Sequence, residues 1–392
     1  MKLLFISPSF FPAIYYGGPI FSTYELAKAI KQQGIDVKVI TTNANGKEKL
    51  KLKTGIFHYL ENDLPVKYYK SLDSKGTSVS MLLNLWKDIK EAYLVYLISV
   101  FSFSTPLTLI CCKFLNKPLI LSPRGQLGEW CLSSGSRFKT IWLKLFIKPF
   151  AYKIKWHVTS QQEKNEIETV FPGVNAFIIP NGIDLEGYNK RNLDKDKAYF
   201  KKFGAEVNSD SSVIVSMGRL HRKKGFDILI NAFAMFQKEN TSSFLFIAGE
   251  DYGEQKNLEE KISELGFGNK IFLVGQISDL SEKANFLSNA DVFALASLNE
   301  NFGLVYAEAL ASGTPIVAST NTPWQDAEKF GFGKWMDNTP EKFADAIEQV
   351  LNADVRKMGE IGKSYVEENF SWGKLARNFI YETEKILVAK KL

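Results

Sequence analysis

Short apolar runs alternate with longer amphipathic stretches from one end of this chain to the other. The run at 3–7 predicts a strand, and 19–33 predicts a helix with Pro19 in its first turn and Gly34 just past its end. Strands follow at 37–42 and 119–122. The apolar stretch 92–115 is broken by Ser99, Ser102, Ser104, Thr105 and Pro106, so it reads as a buried strand and a following helix, not a membrane span. Pro180-Asn181-Gly182-Ile183-Asp184 makes a turn-rich break, followed by a polar stretch at 189–202, and marks a domain boundary. The alternation then restarts, with strands at 213–217, 244–248, 271–274, 292–295 and 316–319 and helices at 226–236 and 256–265. A last helix at 372–391 is long enough to lean back across the first domain.

Strands that are apolar along their whole length, set between helices, belong to parallel sheets covered on both faces. The predicted class is α/β, and 392 residues exceed one ordinary core. Two Rossmann-like domains are expected, 1–182 (joined by 372–392) and 183–371, with a cleft between them. Ligands of open α/β sheets bind beyond the carboxyl ends of the strands.

Composition changes this picture little: 45% hydrophobic and 23% charged residues are ordinary for a globular chain. Charge distribution adds more. Residues 1–184 carry roughly 23 Lys/Arg against 13 Asp/Glu, about +10, which leaves the remainder near −4. The focus is 137–156, where Arg137, Lys139, Lys144, Lys148, Lys153 and Lys155 interleave with aromatic and aliphatic residues and no acid intervenes. Two readings fit it: a surface helix whose lysine stems cover apolar neighbours, or a basic, aromatic face for an anionic membrane. No recognised nucleic-acid motif accompanies the charge. Cys111 and Cys112 are adjacent, Cys131 stands alone, and His58, His157 and His221 are scattered, so no metal or disulfide spacing appears. The amino terminus reads as a buried strand and not a signal peptide.

The chemistry concentrates after the predicted strand at 292–295. Glu300-Asn301-Phe302-Gly303-Leu304-Val305-Tyr306-Ala307-Glu308 leads into a helix expected over 302–311, closed by Gly313 and Pro315. The start of such a helix offers unpartnered amides and a positive dipole to a phosphate, and Gly303 would let it approach the main chain. Glu300 and Glu308 would stand roughly 10 Å apart at ~1.5 Å per residue, a span suited to a ligand with hydroxyls at both ends and phosphate between. Two such glutamates can equally be a solvated helix start and face. Against that, Glu308 lies in an apolar run where an unpaired carboxylate would be costly. Earlier, after the predicted strand at 213–217, Gly218-Arg219-Leu220-His221-Arg222-Lys223-Lys224-Gly225 places two cations, Arg219 and Lys224, where they could share a diphosphate.

Gly218-Arg219…Lys224-Gly225 and the Glu-x7-Glu element with Asn301-Phe302-Gly303-Leu304 inside it resemble the signature of retaining glycosyltransferases of family 4, which have the GT-B fold of two facing Rossmann-like domains. Gly17-Gly18-Pro19 resembles the family's first glycine loop and 180–184 its interdomain segment. Ser122-Pro123-Arg124-Gly125 and Thr322-Pro323-Trp324 resemble a bacterial branch that builds polysaccharide and lipopolysaccharide. The resemblance implies a UDP- or GDP-sugar donor, with Glu308 on the ribose and main chain near Val274 and Gly275 on the base. It implies amides around Asn301, Phe302, Gly303 and Leu304 on the diphosphate and sugar, Glu300 on sugar hydroxyls, and Gly17 and Gly18 approaching from the other domain. Arg219 and Lys224 would stabilise the departing diphosphate without metal or other cofactor. The acceptor would be a glycan or polyprenyl-linked sugar, and the protein cytoplasmic or peripheral at the inner membrane face.

One departure stands out. Relatives often carry a histidine where this chain has Arg124, and an always-charged arginine cannot act as a neutral base. It can hold an anionic group of a substrate or brace its own loop. A two-domain sugar-binding protein without catalysis is the alternative of another class, although it leaves the two cations without a use. A nicotinamide dehydrogenase is disfavoured because Tyr16-Gly17-Gly18-Pro19 lacks the Gly-x-Gly-x-x-Gly turn.

Overall fold

The computed structural model describes residues 1–133, 137–189 and 195–389. Its contacts divide the chain into two compact units, Met1–Gly182 with Trp372–Leu392, and Ile183–Ser371.

The first unit holds β1 (Lys2–Ile6), β2 (Asp36–Thr42), the small hairpin β3 (Ala44–Asn45) and β4 (Glu48–Lys49), then β5 (Phe57–Leu60), β6 (Leu64–Tyr69), β7 (Leu94–Ile98), β8 (Leu119–Ser122), β9 (Lys155–Val158) and β10 (Ala176–Ile178). Its main sheet runs β10-β9-β8-β7-β1-β2-β6-β5, parallel except for the β5–β6 pair. Side-chain alternation sends Leu3 and Phe5 into the core on one face and Leu4 and Ile6 into the core on the other. The first face is covered by the helices Gly18–Gln32 and Trp372–Ala389, with Phe379 set edge-on to Tyr96 at 5.1 Å. The return of the last helix onto this unit follows the sequence expectation. The second face is covered by Val79–Glu91, Thr105–Phe114 and Gln161–Val170, with the π-helical turn Leu143–Ile147.

The basic run 137–156 is not one helix. Arg137–Trp142 is α-helical, the π turn follows, and Lys155 and Trp156 open β9, where Trp156 is fully buried.

In the second unit a six-stranded parallel sheet is ordered β13-β12-β11-β14-β15-β16. Its strands are β11 (Ser212–Met217), β12 (Ser243–Ala248), β13 (Ile271–Gly275), β14 (Val292–Leu295), β15 (Ile316–Ser319) and β16 (Gly333–Met336). The chain winds outward from β11 through β12 to β13, then returns to the other side of β11 with β14. That reversal is a topological switch point, where the loops beyond adjacent carboxyl ends diverge and leave room for a ligand.

Candidate functional site

The loops that leave β11 and β14, the two strands of that switch point, carry the charged residues. Beyond β11 the chain passes Arg219, makes a 3-10 turn at Arg222–Lys224, and enters the helix Phe226–Gln237 through Gly225. Gly225 has φ +62°, and a Cβ there would lie 2.0 Å from the Ala296 carbonyl oxygen just past β14. Only glycine lets the two loops meet this closely. The Leu298 amide then donates to the Lys223 carbonyl at 2.8 Å and ties them together.

This closure brings Lys224 and Glu300 into contact: Lys224 Nζ donates to Glu300 Oε1, which also accepts from Ser297 Oγ at 2.9 Å. The two side chains are only 17% and 13% exposed. Burial pushes the Glu300 carboxyl up, but the Lys224 ammonium and its hydrogen bond outweigh burial and hold it below its usual value. A lone carboxylate so covered costs several kcal/mol, so the pair keeps both charges in place. Sequence reasoning treated these residues as separate ligand contacts; the structure makes them partners. Arg219 is exposed, and its guanidinium lies over the Tyr252 ring at 5.0 Å. Tyr252 comes from the loop after β12, bound to the Arg219 loop by Tyr252 N–H donating to Leu220 O at 3.0 Å. A ring contact uses none of Arg219's N–H groups. Tyr252 was missed because it lies on a different loop from the Gly-Arg motif.

The helix expected over 302–311 begins at Leu304 and runs to Ala311. Gly303 stops it from starting earlier, because its φ of +75° and ψ of +65° are left-handed. A Cβ at Gly303 would meet the Tyr306 ring at 2.7 Å. Phe302 is buried before it, tilted against Trp324 and edge-on to Phe370, and its carbonyl accepts from Trp324 Nε1 at 2.7 Å. Tyr306 is likewise anchored, its hydroxyl donating to Leu295 O at 2.8 Å. Asn301 and Leu304 are partly exposed on either side of the Phe302–Gly303 bend. The helix thus starts from a fixed point just beyond β14; the Tyr306 amide donates to Gly303 O at 3.0 Å, and the amides of Leu304 and Val305 precede the first such bond.

Glu308 is buried on the same helix, and Lys283 Nζ, from the helix Leu280–Ser288, donates to its Oε1 at 2.9 Å. Its Oε2 is buried and accepts no well-formed hydrogen bond, and the Tyr188 hydroxyl is the polar group that interacts with this carboxylate. Burial, followed by the nearby Glu308 carboxylate, drives the Tyr188 phenol well above its ordinary range. Lys283 and Tyr188 had no local sequence signal, since helix packing alone brings them to Glu308. An orphaned carboxylate oxygen among apolar residues is an acceptor that a ligand hydroxyl can satisfy. Val274 and Gly275 end β13, where the Gly249 amide donates to Gly275 O at 2.8 Å and Gly275 has φ +75°.

The remaining expected residues belong to the first unit. Gly17, at φ +75°, precedes the helix opened by Gly18, and a Cβ on Gly18 would meet nothing within 4 Å. Arg124 is left-handed at φ +53°. Its guanidinium donates to Asn181 Oδ1 at 2.7 Å and to the Tyr96 hydroxyl oxygen at 3.1 Å, while its Nε is buried without a partner. His157 Nε2–H donates to Ile179 O at 2.9 Å, which assigns its Nδ1 as acceptor for Tyr96 O–H at 2.7 Å. Burial, then the charge of Arg124, lowers the His157 pKa to about 3. Beside them the buried Glu163 carboxylate accepts from the Gly125 amide at 2.6 Å and the Thr159 amide at 2.7 Å. Arg124 is therefore tied into its own unit by two donors. His157, which the sequence left without a role, ends a buried polar chain.

The descriptions that match this chain are "Glycosyl transferases group 1" over residues 199–365 and "Glycosyltransferase Family 4" over 16–186. Among solved structures, Anabaena HepE in complex with UDP is similar with a TM-score of 0.77 at 19% identity, covering 98% of this chain and 100% of that one. Two Rossmann-like units with parallel sheets place the chain in the GT-B class. It belongs to the family 4, group 1 glycosyltransferases. The alpha-monoglucosyldiacylglycerol synthase of Streptococcus pneumoniae is 30% identical over 53% of this chain and 47% of that enzyme. The D-inositol 3-phosphate glycosyltransferase of Jonesia denitrificans is 23% identical over 95% of this chain and 92% of its own length. Over the first curated relatives the match spans about half of their length, 57% and 47%.

Proposed function

We propose that this protein moves a sugar, with retention of anomeric configuration, from a UDP- or GDP-sugar to a glycan or lipid-linked acceptor in cell-surface polysaccharide synthesis. One observation carries the reading: Arg219, the Lys224–Glu300 pair and the amino end of Leu304–Ala311 gather beyond β11 and β14, with the open oxygen of Glu308 about one turn along the same helix.

In this reading the nucleoside ribose bonds to Glu308 Oε2, while Lys283 holds the other oxygen of that carboxylate. The base lies along the end of β13 at Val274 and Gly275. The diphosphate meets the first amides of the helix, Lys224 and Arg219. Breaking the bond between the sugar and the phosphate leaves negative charge on the nucleoside diphosphate, and these donors are already in place to receive it. Removing one such preorganised donor typically costs ~10²–10³ in rate. Glu300 is not assigned as nucleophile: Lys224 and Ser297 already hold one of its oxygens, which suits it to orient Lys224 and to accept from a sugar hydroxyl.

Thermal denaturation with UDP, GDP and NAD tests this. One nucleoside diphosphate should stabilise the protein, by about 2.7 kcal/mol at a hundredfold excess over Kd, and NAD should not. Stabilisation by NAD alone, or by none of the three, contradicts the reading. Donor hydrolysis across a panel of nucleotide sugars then identifies the sugar.

A further inference from the structure

The helix Val79–Glu91 is apolar on two sides. Met81, Leu85 and Ile89 enter the core, while Val79, Leu83 and Trp86 point outward, Leu83 being 79% exposed. A surface helix ordinarily turns a polar face to water. The neighbouring helix Thr105–Phe114 repeats the feature with Ile110 and with Phe114, which is 73% exposed. Its Lys113 reaches over the Phe150 ring at 6.0 Å, which joins it to the segment after the π turn. Before and within that turn, Phe138, Ile141 and Leu145 are each more than half exposed.

Basic residues accompany these exposed apolar side chains. Lys87, Lys90, Lys113, Lys144 and Lys148 are exposed on the same elements. The acids of the first helix are engaged, Asp88 with Lys67 and Glu91 with Lys38, and 137–156 contains none. A second copy of the chain would set like charges against each other here. An anionic bilayer satisfies both features at once, because lysine heads meet lipid phosphates while aromatic and aliphatic tips enter the boundary below them. Among the described residues no helix is long and apolar enough to cross a membrane.

We propose that this outer face of the first unit, from Val79–Glu91 across Thr105–Phe114 to Arg137–Trp142 and the π turn, docks on the surface of an anionic lipid bilayer. It enlarges the basic run read from the sequence with two helices that the sequence did not connect to it.

Sedimentation of the whole protein with vesicles is the test, and it needs no sugar donor, so it stands apart from the proposed activity. The native chain should sediment with phosphatidylcholine vesicles containing phosphatidylglycerol, be released by salt, and leave pure phosphatidylcholine vesicles alone. Each lysine near such a surface is worth roughly fivefold, so Lys144→Glu with Lys148→Glu should weaken binding by roughly 25-fold or more. Leu83→Ser with Phe114→Ser should weaken it at unchanged thermal stability, since both residues are exposed. Native protein that ignores phosphatidylglycerol, or variants that bind like the native chain, overturns the proposal. So does a native dimer that Leu83→Ser with Phe114→Ser dissociates, which would assign the face to a second copy.

Discussion

Lys224 and Glu300, 76 residues apart in sequence, form an ion pair just beyond the carboxyl ends of β11 and β14. The ammonium holds the Glu300 carboxyl ionised, and the carboxylate fixes one of three ammonium donors. Two donors remain to face a ligand, on a side chain whose direction is already set.

This coupling separates stability from catalysis. Lys224→Ala should lower transfer by ~10²–10³ and should also destabilise the fold by about 3–5 kcal/mol, because Glu300 is left buried and unpaired. Adding Glu300→Gln should recover much of the stability and none of the activity. Urea denaturation and donor hydrolysis, measured on both variants, check the two halves. A single variant with native stability would remove the pair from the account.

The Glu308 site makes a prediction about ligand chemistry. Hydrogen bonds to charged groups are worth about 1.5–3 kcal/mol, so a 2′-deoxy or 3′-deoxy nucleoside diphosphate should bind roughly tenfold or more weakly than its ribose parent. Glu308→Gln should narrow that gap, and Lys283→Ala should weaken nucleotide binding without contacting it. Calorimetric titration reads all three. An undiminished gap in Glu308→Gln would show that the ribose lies elsewhere.

Gly303→Ala tests the origin of the helix start. The substitution needs a left-handed backbone and drives a methyl into the Tyr306 ring, so a loss of about 1–3 kcal/mol together with weaker nucleotide binding is expected. Thermal denaturation with and without nucleotide measures both. An alanine variant of native stability and affinity would show that the bend is not required.

Buried His157 sets an acid limit. Its folded pKa of about 3 lies below its ordinary 6.5, so the unfolded chain binds the extra proton first as pH drops. Its contribution to stability is complete above pH 6.5 and is lost progressively as pH falls towards 3. Glu300, also depressed, keeps its contribution through that range and loses it only at lower pH, as its carboxyl protonates. Denaturation at a series of pH values should therefore show His157→Gln losing less stability than the native chain between pH 6.5 and 5. Parallel curves would contradict the assignment.

The α/β class was legible because strands such as β1 and β14 are apolar on both faces, which only a covered parallel sheet explains. Gly218-Arg219, Lys224-Gly225 and the Glu300–Glu308 stretch were legible because each is local in sequence. What stayed hidden depends on packing between distant elements. Lys283 reaches Glu308 from another helix, Tyr252 reaches Arg219 from the loop after β12, and Arg124 is claimed by Tyr96 and Asn181. The run 137–156 looked continuous because its charge pattern is, whereas burial of Trp156 in β9 divides it. The late start of the helix expected over 302–311 came from the backbone conformation of Gly303, which hydrophobic periodicity does not register.

The most direct measurement is a crystal structure with a bound nucleoside diphosphate. The account places its outer phosphate within hydrogen-bond reach of Lys224 Nζ, Arg219 and the first amides of Leu304–Ala311, with a ribose hydroxyl on Glu308 Oε2. A diphosphate bound away from Lys224 and Arg219, with Glu308 Oε2 still unsatisfied, would contradict it.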